Sequence, residues 1–278
     1  MGVLNLTPDS FSDGGLWLEP ERAVERALAM LDEGADLLDL GAESTRPGGG
    51  AYGAGASIVP PQEEADRLLP VLEALRRATD APLSVDTRKG TVARQALAAG
   101  ADLVNDVSAL ADPEMSGALA GASGAGCPVV LMHSRGDLST MQKDIHFKDV
   151  VAEVRSELAV AMDRAAAAGI AAERLILDPG IGFGKTVENN LELIARLDEL
   201  SLLGRPLLLG ASRKSFIARV LESAGWPAPA PRERLGGSLA TVAWAAAQCA
   251  SIVRVHDVGA TAQLLTVWHA IDERRVGA

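Results

Sequence analysis

Leu175-Ile176-Leu177-Asp178-Pro179-Gly180-Ile181-Gly182-Phe183-Gly184-Lys185 is the stretch that decides the fold. Three apolar residues end abruptly in a carboxylate, and Pro179-Gly180 then forces a turn. An unbroken apolar triplet predicts a strand buried on both faces, as in a parallel sheet. An acid planted where such a strand meets a loop is placed to face a ligand, because loops on a rigid scaffold carry function. The bland alternative for this motif alone is a loop-capping Asp178 with a solvated Lys185.

Outward from this stretch the same unit recurs in both directions. Upstream, a helix from about Asp149 to Ala168, stopped by Gly169, feeds the strand at Leu175. Before it come strands at Met1–Leu4 ending at Asn5, at Leu37–Gly41, at Leu83–Asp86, at Leu103-Val104 running into Asn105-Asp106, and at Val129–Met132 closed by His133. Helical periodicity separates them: Val24, Ala27, Leu28 and Leu31 after Pro20, then Leu68, Leu69, Leu72 and Leu75, then Val92, Ala96 and Leu97 before Gly100. Downstream lie strands at Leu207–Gly210 and Ile252–Val255, with an extra helix predicted over Ser215 to Ser223 and a last helix carrying Leu264, Leu265, Val267, Trp268 and Ile271. The segment Gly34–Asp39 is echoed by Gly100–Asn105, as one βα unit used again would require.

Eight buried strands alternating with helices predict a closed (β/α)8 TIM barrel, a single domain over 1–278 with an extra short helix after strand seven. No G-x-G-x-x-G follows the first strand, which disfavours a doubly wound open sheet. Two loops stand out: Thr7 to Gly15, dense in turn formers, and the Gly-rich run from Glu43 through Pro61, expected to stay mobile until ligand arrives. With 48% hydrophobic and 23% charged residues, no signal-like start and no long apolar span, a soluble cytoplasmic protein is expected. Cys127 and Cys249 fit no metal spacing and are expected to be buried reduced thiols. The net charge of −11 argues against nucleic acid or an anionic membrane as partner.

In such a barrel the strand ends open on one face. Asn5, Asp39, Asp86, Asn105, His133, Asp178, Ser212–Lys214, Arg254 and His256 all fall there. Strands must end in something polar, but a whole ring of carboxylates is costly to bury without a ligand or an ion-pair network. The ring has two chemical halves. Asp86, Asn105 and Asp178, with Lys214 beside them, suit a ligand edge rich in N–H donors, such as an aminopyrimidine. Arg46, Arg254 and His256 suit an anion, Asn5 offers a hard oxygen to a metal, and Ser212-Arg213-Lys214 opens a helix whose N-terminus attracts anions. Taken singly, Arg254 reads as a surface arginine, His256 as a satisfied core histidine and Lys185 as a solvated loop cation.

From Gly2 to about Ala260 the ordered motifs resemble those of the dihydropteroate synthase family of pterin-binding barrels. They are N-L-T-P-D-S-F-S-D-G-G from Asn5, E-S-T-R-P-G from Glu43, S-V-D-T from Ser84, N-D-V-S from Asn105, L-M-H from Leu131, L-D-P-G-I-G-F-G-K from Leu177, G-A-S-R-K-S from Gly210 and R-V-H-D-V from Arg254. The resemblance implies a transferase of folate biosynthesis that joins 6-hydroxymethyl-7,8-dihydropterin diphosphate to 4-aminobenzoate. It implies that Asp86, Asn105, Met132, Asp178 and Lys214 hold the pterin, and that Arg46, Arg254 and His256 take the diphosphate. It further implies that Thr45, Pro47, Phe11, Phe183 and Ser212 surround 4-aminobenzoate, that Asn5 binds Mg2+, and that Asp13 joins Asp86, Asp178, Lys214, Arg254 and His256 in the catalytic group. The two loops, with Asp9 to Asp13 and Thr45 to Pro47, are expected to close over both substrates, and a homodimer through outer helices is expected.

The chain departs from the family pattern in places. It begins at strand one, so a hairpin that would close the barrel bottom is expected either to be missing from this sequence or never to have been there; the run from Gly48 to Pro61 is longer than the usual second loop; Ser134 follows Leu-Met-His; and Asn189 stands where the family often has His. These departures are expected to tune activity. A corrinoid methyltransferase would share the acids but has no use for Arg254-Val255-His256 or the S-T-R-P loop. An aldolase would use Lys214 or Lys185 as a Schiff base, and a non-catalytic pterin binder should have lost Asp9, Thr45 or Arg46, all present here.

Overall fold

The computed structural model describes residues 1–7, 20–43, 59–136 and 145–276. The strands are β1 Gly2–Asn5, β2 Leu38–Gly41, β3 Leu83–Asp86, β4 Leu103–Asp106, β5 Val129–Met132, β6 Leu175–Asp178, β7 Leu208–Leu209 and β8 Ile252–Val253. β1 to β6 pair consecutively and in parallel, as do β7 and β8. Parallel bridges Leu177–Leu207 and Gly2–Val255 join the two sets. Leu177 N donates to Pro206 O at 2.9 Å and Val3 N to Val255 O at 2.9 Å. The ring is therefore closed, as expected.

Side-chain alternation along each short strand divides its burial between two cores. Leu38, Leu40, Leu83, Val85, Val129, Leu131, Leu175 and Leu177 belong to the large cluster packed against the helices. Their alternates Leu103, Val130, Ile176 and Leu208 form a separate small cluster with Met1 inside the ring. That apolar plug fills the lower interior, so the polar members of the inward rows, Asp39, Ser84, Asp86, Asn105 and Asp178, lie towards the carboxyl ends. Each fully buried Leu contributes about 1.5–3 kcal/mol. The acids gain nothing comparable and need partners.

The helices are α1 Pro20–Asp32, α2 Pro61–Ala78, α3 Gly90–Ala98, α4 Pro113–Ala120, α5 Val150–Ala167, α6 Val187–Ala195, α7 Asp198–Ser201, α8 Ser215–Ser223, α9 Leu235–Ala247 and α10 Val258–Val276. α2 carries Glu63 and Glu64 in its first turn and Arg76 and Arg77 in its last, matching the helix dipole. Asp149 caps α5 by accepting from Val151 N and Ala152 N, each at 3.0 Å. α8 occupies the span predicted for the extra helix.

Two expectations need correction, and the short helices α4, α6 and α7 are not foreseen from the sequence. α1 buries Ala23, Ala27 and Met30, so of the expected face Ala27 is buried while Val24 and Leu31 pack at the edge of the core, because small residues let the helix sit close to β1. Gly2 there meets Met30 Sδ within 3.2 Å of where a Cβ would stand. α4 is a helix where no periodicity was legible: it has eight residues, buries only Met115, Ala118 and Leu119, and starts from an Asp112 cap. Cys127 is buried as expected but Cys249 is exposed, in a left-handed turn (φ 62°) just after α9. Among the described residues no helix is long and apolar enough to cross a membrane.

Candidate active site

The strand register brings the predicted acids together. Met132 of β5 is paired with Asp178 of β6, and Asp86 of β3 with Asn105 of β4. Arg254, just past β8, reaches across the ring: its Nε donates to Asp39 Oδ2 at 2.6 Å and its Nη2 to Asp86 Oδ2 at 2.8 Å. The two expected halves, acids at the floor and cations at the rim, are thus joined through one guanidinium. Arg254 is the clamp of a buried ion-pair network, not a surface arginine.

Asp86 Oδ1 and Asn105 Oδ1 are buried with no hydrogen-bond partner. Two vacant acceptors side by side on neighbouring strands are costly in an unliganded protein, and call for a ligand that brings N–H donors. Burial pushes the Asp86 carboxyl up to about 7, against the pull of Arg254. Burial also raises Asp178, which Lys214 and the Gly180 N–H oppose.

Asp178 ends β6, and the turn after it is shaped by glycine. Gly180 has φ 67°, and a Cβ there would lie 1.9 Å from His133 O. Only glycine fits, and its N–H donates to Asp178 Oδ1 at 2.7 Å. Lys185 is not the solvated cation its sequence context allowed. It is 3% exposed, and its ammonium donates to Phe183 O at 2.9 Å and Gly180 O at 3.0 Å and meets His133 Nδ1 at 2.9 Å. Burial lowers it to about 7. His133 in turn contacts Glu157 Oε2 through Nε2 at 2.9 Å. Burial, with Lys185 beside it, holds the imidazole down at about 4. A neutral ring that accepts at Nδ1 from Lys185 and donates at Nε2 to Glu157 satisfies every partner.

Lys214 lies on the opposite side of the same turn. Its ammonium donates to Ile181 O and sits 4.6 Å from the centre of the Phe183 ring. Burial lowers it to about 8, with Asp178 pulling it back up. Asp178, Phe183 and Lys214 therefore form one wall. Ser212 accepts from His256 N at 3.2 Å, and its Oγ is 3.1 Å from His256 Nδ1, so the loops after β7 and β8 are tied together. Arg213 is turned to Asp257, with Nε to Oδ2 at 2.9 Å, and braces these loops. Asn189, the departure after the glycine-rich turn, forms a capping box with Thr186 at the start of α6.

Of the predicted site residues, Phe11, Asp13, Thr45, Arg46 and Pro47 lie outside the described residues. The segment holding the last three is bounded by a tie between its flanks: Val59 N donates to Glu43 Oε1 at 3.0 Å. Glu43 is itself paired with Arg88 at 2.9 Å and Lys89 at 3.0 Å. Asn5, half-buried, ends β1 beside Gly41.

Comparison with known proteins now identifies the lineage. The model of the pterin binding enzyme family matches residues 1–256. A dihydropteroate synthase of Synechocystis is 46% identical over 272 residues, covering 98% of this chain and 89% of the relative. The chain belongs to the dihydropteroate synthase family. Among solved structures, Xanthomonas albilineans dihydropteroate synthase with 4-aminobenzoic acid superposes with a TM-score of 0.86 at 47% identity, covering 98% of this chain and 92% of that one. The Burkholderia cenocepacia dihydropteroate synthase complexed with 7,8-dihydropteroate gives a TM-score of 0.86 at 40% identity, covering 100% and 92%. A dihydropteroate synthase is a transferase of folate biosynthesis acting on small-molecule substrates, so the aldolase and methyltransferase alternatives fall away.

Asp39 and Lys185 are the two site-region residues whose roles motif reading did not supply. Asp39 stands inside β2, two residues before the strand ends, so it was legible only as one more polar strand residue. Lys185 follows a glycine in a loop, where a lysine is ordinarily exposed.

Proposed function

We infer that this chain condenses 6-hydroxymethyl-7,8-dihydropterin diphosphate with 4-aminobenzoate, giving 7,8-dihydropteroate and diphosphate, and that the barrel floor is where the pterin sits. The observation that carries the reading is the pair of buried, unpartnered acceptors on Asp86 and Asn105. With Asp178 they match the N–H-rich edge of an aminopyrimidine, and Met132 supplies an apolar surface for its ring. Lys214, placed by Ile181 O and Phe183, donates to a ring acceptor, and the reaction needs no Schiff base from it.

In the reaction the C–O bond between the pterin methylene and the diphosphate breaks, and its electron pair leaves with the diphosphate. Positive charge spreads over the pterin ring, where Asp86 and Asp178 stabilise it. Arg254 and His256, with Arg46, meet the departing negative charge. The arylamine nitrogen then forms the new C–N bond and gives up one proton to the leaving diphosphate or to water. It is positioned by Phe183 and Ser212, with Phe11, Thr45 and Pro47, and needs no covalent activation. Asp13 completes the group from the first loop.

Asn5 fits a Mg2+ site of a particular kind. Among the described residues no group of three or more His, Cys, Asp or Glu could hold a metal. Mg2+ that keeps its waters and takes phosphate oxygens needs only one or two protein oxygens, and Asn5 offers one at the end of β1. When bound it would screen the charge of the diphosphate. A cytoplasmic homodimer completes the proposal. It is supported by Trp244 on α9 and Val267 and Ile271 on α10, which are 50%, 60% and 62% exposed on the outer helices. Light scattering at micromolar concentration tests it, a monomer mass being the contrary result.

The activity test is diphosphate release from the pterin diphosphate, with and without 4-aminobenzoate and Mg2+. Release dependent on both supports the reading. Release indifferent to 4-aminobenzoate contradicts it.

A further inference from the structure

We propose that Asp39 is a positioning residue that sets the orientation of both Asn105 and Arg254, and so couples the two halves of the site. The inference rests on the reading of the floor as the pterin site.

Asp39 is fully buried within β2 and faces the barrel interior. It pairs in register with Ser84, while Asp86 pairs with Gly41 higher in the ring. It therefore lies one inward row below the acid that meets the ligand. Its carboxylate is the common acceptor of three side chains from three other strands or their ends. Ser84 Oγ donates to Oδ1 at 2.5 Å, Asn105 Nδ2 donates to Oδ2 at 3.1 Å, and Arg254 Nε donates to Oδ2 at 2.6 Å.

Two consequences follow from donor and acceptor roles alone. An amide has one donor end and one acceptor end. Because Asp39 accepts only, it takes the Nδ2 end of Asn105 and leaves Oδ1 as the group presented elsewhere, and Oδ1 is the buried atom without a partner. The floor thus presents an acceptor at Asn105 because Asp39 lies behind it. Arg254 is likewise fixed at Nε, so only its terminal nitrogens are left to serve Asp86 and an incoming anion. Asp86 also accepts from Arg254, but its other oxygen has no partner, so of these two acids Asp39 is the one that bonds both Asn105 and Arg254.

The neutral isostere separates orientation from charge. In Asp39→Asn the amide oxygen can still accept from Asn105 and Arg254, with its nitrogen towards Ser84, whose hydroxyl rotates to accept. The reverse orientation would set N–H against the guanidinium. Asp39→Ala removes the acceptor altogether and frees the Asn105 amide to turn.

The experiment is calorimetric titration with 6-hydroxymethylpterin of wild type, Asp39→Ala, Asp39→Asn, Asn105→Ala and the double variant Asp39→Ala/Asn105→Ala. The expected result is a loss of affinity of about tenfold or more for Asp39→Ala in the wild-type background and less than about threefold in the Asn105→Ala background, the coupling expected of residues in contact. Asp39→Asn should stay within about threefold of wild type. Should Asp39→Ala not fold, Asp39→Asn decides the matter, since a tenfold loss there would show that charge and not orientation is at work and would overturn the proposal. Equal losses from Asp39→Ala in both backgrounds would overturn it too. Wild-type affinity in Asn105→Ala would instead remove the pterin floor itself, and this inference with it.

Discussion

Gly180→Ala is the substitution whose cost can be worked most fully from the structure. Two penalties add. The backbone at this position has φ 67°, where a side chain costs about 1–2 kcal/mol. The new Cβ would also lie 1.9 Å from His133 O, a backbone atom of the neighbouring β5 end, so the turn must move, at about 1–3 kcal/mol. The total is about 2–5 kcal/mol. At about 2 °C per kcal/mol for a chain of this size, the melting temperature should fall by roughly 4–10 °C. The movement also strips Asp178 of the Gly180 N–H at 2.7 Å, so pterin affinity should fall by about tenfold or more. Scanning calorimetry reads the first effect and pterin titration the second. Gly204→Ala is the control: φ is 68° but nothing lies within 4 Å of the new Cβ, so only the conformational penalty applies and pterin binding should be unchanged. A Gly180→Ala protein melting within a degree of wild type and binding pterin equally well would refute the reasoning.

Other expectations follow from the buried charges. His133 is lowered to about 4 from 6.5, so between those pH values the unfolded chain binds a proton that the native protein does not. Stability is therefore lost as pH falls through that window, by something on the order of 2–3 kcal/mol. Urea melts of wild type and His133→Gln at pH 7 and 4.5 check this, and identical pH dependence in both would contradict it. Lys214 is held near 8, so kcat/KM for the pterin diphosphate should decline above that pH, and Lys214→Met should lack that limb of the profile. Arg254→Ala leaves the carboxylates of Asp39 and Asp86 without their cation and should cost about 3–5 kcal/mol in chemical denaturation, with KM for the diphosphate substrate raised. Thr186→Ala removes the α6 cap and should cost about 1 kcal/mol with kinetics unchanged.

The strands were the most legible part of this chain. Leu83–Asp86 has the same bounds in sequence and structure, and the triplet Leu175–Leu177 differs from its strand only by the closing Asp178, because short apolar runs ending in an acid have few other ways to be buried. Helices were unevenly legible. α5 and α8 matched closely, but α4 is too rich in small residues to print a periodicity. The phase of α1 was misjudged because the helix buries two alanines and a methionine and leaves larger residues at its flank. For the site, motif order put Asp86, Asn105, Asp178 and Lys214 at neighbouring strand ends, and the fold gathers them there. Motif order could not reveal that Arg254 reaches back to Asp39, since that contact joins residues 215 positions apart and depends on ring closure. Nor could it show Lys185 buried, because only the path of the turn aims three acceptors at its ammonium.

The most direct test of the floor assignment is the affinity of 6-hydroxymethylpterin for wild type and Asp178→Ala, measured by titration calorimetry on protein whose fold is confirmed by its circular dichroism. Asp178 is buried at the head of the turn that Gly180, Phe183 and Lys185 build, and it faces Lys214. Its loss should reduce binding below detection while leaving the helical spectrum intact. Binding of the pterin with wild-type affinity would mean that the ring sits elsewhere, and the account would fail.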